Sequence, residues 1–259
     1  MDGTRGSPEN RALTGVATYA ATAWQHNKVA RTQTLEQHVQ RAREFGASRY
    51  ITALFAGNRL ATQERQAIAD ELSSLIGIPS KRLLELNLRV DTGTFGKELL
   101  RQEGLQVGAY DARFTLPLRA SGNDPVADDP AMGQYVPLYV SAMQKHLREN
   151  LGVSTDRAYN PIEFTRINSE FQRGDGMPQN HAVSLATAMR RNPQLRVMVG
   201  TGYFDLVTTL GAAEQAVALS GMDASRVTMI EYASGHMPYI GKQSRVQLAD
   251  DVRVFVKGP

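Results

Sequence analysis

Residues 195–199, LRVMV, form a short apolar run between Pro193 and the glycine pair Gly200 and Gly202, the pattern of a buried strand. A helical pattern over 208–219 follows, then a second run at 226–232, RVTMIEY, closed by another glycine-containing turn. Upstream, a helical pattern over 181–192 stops at Pro193. Downstream, Ser244 and Gln247 have capping-box spacing, so a final helix is expected from Ser244, burying Val246, Val252 and Phe255. Strand, helix, strand, helix is an α/β unit: two parallel strands joined by a right-handed crossover, with flanking helices. The expected fold class is α/β.

Outward from that unit, helical patterns dominate the first two-thirds of the chain. The segment Leu35–Phe45 is polar with sparse apolar residues, and 48–55 adds Tyr50, Ile51, Leu54 and Phe55. In Thr62–Ile76, the residues Ile68, Leu72, Leu75 and Ile76 make one apolar stripe that ends at Gly77. Another pattern covers 94–103 and stops at Gly104. Over 135–151, Leu138, Tyr139, Ala142, Met143, His146 and Leu147 recur at helical spacing, with Pro137 placed in the first turn. Residues 121–130, SGNDPVADDP, read as a loop. Three regions result: 1–12, expected to be poorly ordered; 13–160, mainly helical; and 161–259, the α/β part.

Composition narrows the function classes. The 259 residues contain no cysteine, which excludes disulfides, thiolate metal sites and a cysteine nucleophile. Twenty-three of the 29 cationic residues are arginine, so the pI is 9.2 although the net charge is only +3. The arginines are dispersed among acids, which argues against a nucleic-acid footprint. No run approaches the roughly 20 apolar residues of a membrane span, and the first 12 residues lack the pattern of an export signal. The histidines His26, His38, His146 and His181 show no metal-ligand spacing, and Gly200 with Gly202 lacks the third glycine of a dinucleotide loop. No metal or cofactor is expected. His146 reads as a core or boundary histidine, and the pair Tyr19 and Trp24 as packing or a cleft wall.

In open α/β sheets, chemistry sits at the carboxyl ends of the strands. Asp205 follows the first strand in GYFD, and His236 follows the second in ASGHM, 31 residues further on. One crossover separates them, so an aspartate that orients a histidine can form at one sheet edge. The alternative is that Asp205 starts a turn and His236 sits in a loop without catalytic meaning. Thr208, three residues after Asp205, either steadies that loop or starts the helix that follows, and reads best as its cap.

The residues around the pair resemble serine carboxypeptidases, a family with the α/β-hydrolase fold. The likeness rests on 192–208 (NPQLRVMVGTGYFDLVT) and 231–239 (EYASGHMPY), with TYAATAW at 18–24, LFAGN at 54–58, LNLRV at 86–90 and VGAYDARF at 107–114 resembling the family's cap insertion. It implies that Asp205 and His236 are catalytic, that Tyr203 and Met237 line the substrate pocket, and that 13–160 is a large cap. It departs from the family at Thr209, where proline is usual, and at Ser234, where alanine is common. The larger departure is the nucleophile. No serine here has glycine two residues before and two after; Ser154 comes nearest, without a strand leading into it. The resemblance therefore implies a hydrolase that releases C-terminal amino acids from peptides, with this chain inactive by itself. Its partners would be a peptide substrate in a complete enzyme and a separate N-terminal hydrolase half. The alternative is a non-catalytic interaction or peptide-binding module. The family's setting is largely periplasmic or secreted, although the chain shows no export signal.

Overall fold

A computed structural model describes residues 7–120, 122, 124–157, 159–162 and 181–258. Its order is α1 (Pro8–Gln25), α2 (Leu35–Phe45), α3 (Ile51–Ala56), α4 (Thr62–Ile76), α5 (Ser80–Glu85), α6 (Thr92–Glu98), β1 (Leu105–Val107), β2 (Thr115–Pro117), α7 (Met132–Glu149), α8 (His181–Arg191), β3 (Val197–Gly202), α9 (Leu210–Ala218), β4 (Val227–Tyr232) and α10 (Lys242–Lys257). Helices predominate over two two-stranded sheets, so the fold is α/β in the broad sense. β3 pairs with β4 in parallel, Val197 opposite Val227 through Gly202 opposite Tyr232. β1 and β2 form a short antiparallel pair that the sequence patterns did not suggest.

Helix α1 is the organising element. It starts at Pro8, capped by Ser7, inside the stretch expected to be poorly ordered. Its middle is rich in alanine, glycine and threonine, and small side chains let neighbouring helices approach closely. It packs on α2, α4 and α9. At the α9 contact, a Cβ on Gly211 would stand 2.6 Å from the Thr14 carbonyl oxygen, so that contact requires glycine. Two α1 threonines complete the junction. The Thr14 carbonyl accepts from the Thr209 hydroxyl at 2.9 Å, and the Thr18 hydroxyl accepts from Leu210 N–H at 2.9 Å. An amide left open at the start of α9 is thus satisfied from another helix.

One core cluster runs from Ala12 through the α4 stripe and Phe95 to Tyr203, Phe204, Leu206 and Leu210. It crosses the boundary at 160/161 drawn from the sequence. A second, smaller cluster joins Met189, Val197, Val199 and Ala213, placing α8 and α9 against β3. Arg43 of α2 pairs with Glu214 of α9 and Glu231 of β4, tying helical and α/β parts together.

Local expectations met three corrections. α10 begins at Lys242 after Gly241, so Ser244 lies inside the helix, its hydroxyl donating to the Gly241 carbonyl, and no capping box forms. Val246 and Val252 are exposed, because α10 lies chiefly along β4 and only one side of it is covered. α7 starts at Met132, which puts Pro137 in the second turn. The stripe on α7 is not core either: Leu138 is 70% exposed, and Met132 is the helix's one buried residue.

Candidate functional site

Asp205 and His236 meet. Asp205 lies just beyond β3, buried, and its carboxylate is saturated with donors. Oδ1 accepts from the amides of Val207 (2.8 Å) and Thr208 (3.0 Å), and Oδ2 accepts from the Thr208 hydroxyl and from His236 Nδ1 at 2.9 Å. A carboxylate is an acceptor here, so the proton of a neutral His236 sits on Nδ1, leaving Nε2 with its lone pair. The hydrogen bond to Asp205 holds the His236 pKa above its ordinary value, against the opposing effect of burial. Thr208 is thus part of the aspartate's shell. The helix-cap role expected for it is not formed, since α9 begins later, after Thr209.

The two loops are held together by close backbone packing. A Cβ on Gly202 would lie 2.2 Å from the Gly235 carbonyl oxygen, and one on Gly235 would lie 2.3 Å from that of Tyr110. The loop between β1 and β2 supplies the remaining wall. His236 N–H donates to the Tyr110 carbonyl at 2.7 Å, and the Tyr110 ring meets the His236 imidazole edge to face, centroids 5.3 Å apart. On the aspartate side, Leu206 N–H donates to Ala109 and Ala112 N–H donates to Phe204. Arg113 forks onto the Asp111 carboxylate and extends Nη1 to the Ala233 carbonyl at 2.9 Å.

That loop is in turn fixed by Asp129, a buried residue in the stretch read only as a loop. One of its carboxylate oxygens accepts from the amides of Ala131 and Met132, the other from those of Ala109 and Tyr110. Nothing in residue spacing announces Asp129, Asp111 or Arg113. Asp129 and Arg113 Nη1 meet backbone groups brought near by the fold, Asp111 is held by Arg113 itself, and only the likeness of VGAYDARF to the cap insertion pointed to this region.

His236 and Met237 line a cavity of about 580 Å³ together with Tyr110 and the α7 residues Tyr135, Tyr139 and Met143. His146 lines it too, exposed, with Asn150 on its Nδ1, so of the core and boundary places expected for it the core one is not taken. Tyr203, expected at the substrate pocket, is buried elsewhere, its hydroxyl beside Glu231 and its pKa raised by burial and by that carboxylate. Burial follows from its place among the core residues. Ser154 is exposed beyond α7 and has no hydrogen bond to His236. Tyr19 stacks on Phe95, and Trp24 packs under Arg31, so both aromatics are packing residues. Among the described residues, no group of three His, Asp or Glu side chains is placed to hold a metal ion, and no helix is long and apolar enough to cross a membrane.

Comparison of the chain with family models, with curated proteins and with solved structures gave no match in any of the three.

Proposed function

We propose that Asp205 and His236 are the acid–base pair of a serine-type hydrolase related to the serine carboxypeptidases, acting on peptides to release C-terminal amino acids. In this reading β3, β4 and their helices are the last part of an α/β-hydrolase sheet, and 13–160 is its cap. The observation that carries it is the 2.9 Å contact from a buried, donor-saturated carboxylate to Nδ1 of a histidine bordering a cavity. His236 Nε2 would take a proton from the attacking serine and return it to the leaving amine, while Asp205 fixes the ring and stabilises the imidazolium. The serine is not among these 259 residues, which contain no Gly-x-Ser-x-Gly. The chain by itself is therefore expected to be inert.

A fluorophosphonate probe tests the second part: purified chain should remain unlabelled, and covalent labelling would refute the absence of a nucleophile. Co-expression with a hydrolase half carrying Gly-x-Ser-x-Gly tests the first. Co-purification with peptidase activity that disappears in His236→Ala supports the hydrolase. Among the described residues β3 and β4 pair only with each other, which favours a second reading, a non-catalytic module that binds a partner through their outer edges. Co-purification without activity would select it.

A further inference from the structure

The cavity beside His236 has a consistent chemistry. Tyr135, Tyr139 and Met143 follow one another at four-residue spacing on α7 and so share a face, and Met132 joins them at the helix start. Tyr110, Met237 and Tyr239 approach from the histidine side. Two of these rings are set by aromatic contacts: Tyr135 edge to face with Phe114, centroids 5.3 Å apart, and Tyr110 with His236. Burial, with the Asp111 carboxylate nearby, pushes the Tyr135 hydroxyl up to about 12, so that ring stays neutral through the physiological range. Rings and thioethers offer polarizable surface to a flat apolar group, and the lining residues include no aspartate, glutamate, lysine or arginine to pair with a charged one. The volume, about 580 Å³, is within the range of small-ligand pockets. Tyr139 and Tyr239, which line it, are exposed and give the cavity an apolar rim.

Resting on the dyad reading, we infer that this cavity is the specificity pocket of the Asp205–His236 site. It takes an uncharged aromatic or bulky apolar side chain, with Tyr135, Tyr139 and Met143 as its specificity-determining residues. With Nδ1 engaged by Asp205, Nε2 is the ring nitrogen left for the backbone end of that ligand.

The test is binding to the full 259-residue chain of four neutral-ended probes: the N-acetyl amides of phenylalanine, glycine, lysine and glutamate. His236 and tyrosine ring resonances report occupancy. The phenylalanine amide should saturate and bind about tenfold or more tightly than each of the others. Met143→Lys, on a half-exposed position of α7, should weaken it by about fivefold or more and favour the glutamate amide. Equal affinities, a preference for the lysine or glutamate probe in the unmutated chain, or no saturable binding would each overturn the assignment. An unchanged urea midpoint for Met143→Lys shows that the variant is folded, and unchanged affinity in it counts against the assigned wall. Binding needs no turnover. A phenylalanine preference without activity in the complemented complex would therefore support the pocket while removing the hydrolase, and activity without the preference would do the reverse.

Discussion

α1 and α7 are both 18-residue helices, yet eleven residues of α1 are buried and one of α7 is. Length and amphipathic spacing do not separate them; side-chain size does. α1 presents alanine, glycine and threonine along its middle, so other backbones close onto it from several sides. α7 presents tyrosine, leucine and methionine; among the described residues Met132 is its one buried side chain, and Tyr135, Tyr139 and Met143 border the cavity beside His236. The first helix therefore carries stability and the second, in the reading proposed above, recognition, and substitutions in each should affect different measurements.

The largest effect is expected beside α1. Phe95 is fully buried against Tyr19, so Phe95→Ala should cost about 3–5 kcal/mol in urea unfolding. A loss below about 1 kcal/mol would mean that the α1 environment is no tighter than that of α7.

Next comes the joint between the two regions. Asp129 serves four backbone amides, two at the β1–β2 loop and two at the start of α7. Asp129→Ala should lose about 3 kcal/mol by the same measurement, because it strands buried donors. It should also shift the His236 ring resonances through Tyr110; unmoved resonances would sever that link.

Smaller again is the dyad's own contribution, which depends on pH. The His236 pKa is raised by Asp205, so the pair's stabilisation is complete below about pH 6.5, the unfolded-state value, and fades as pH rises through the higher folded-state value. Asp205→Asn should lower the His236 pKa in an NMR titration and flatten this pH dependence of the urea midpoint. A His236 titration identical in the two proteins would show that the carboxylate does not act on the ring.

The smallest effect belongs to the outer side of α7. Leu138→Ala should change stability by no more than about 0.5 kcal/mol, since that side chain is 70% exposed. A larger loss in thermal unfolding would reveal packing on α7 that the comparison denies it.

Much of the architecture was legible. Leu35–Phe45 and Thr62–Ile76 have the bounds that polarity and periodicity indicate, since Thr34 with Gln37 caps the first and Gly77 ends the second in a left-handed conformation. β3 begins and ends later than the apolar run 195–199, because its pairing with β4 continues through Gly200 and Gly202, which apolarity does not register. Asp205 and His236 were found from their places after two strands. Tyr203, assigned to the substrate pocket by the resemblance, is buried among core residues, because a likeness of sequence does not say which way a tyrosine turns. What covers the α7 stripe was not legible, because periodicity marks an apolar face without marking its neighbours.

The sequence by itself determined the α/β class, the helices with strong caps and breakers, and the pairing of one aspartate with one histidine across a crossover. These follow from local spacing and chain connectivity. Only the tertiary structure decided that the β1–β2 loop wedges against both site loops, that Asp129 secures it, and that α7 faces a cavity. Those facts depend on backbone groups far apart in the chain meeting within hydrogen-bond distance, which no local pattern encodes.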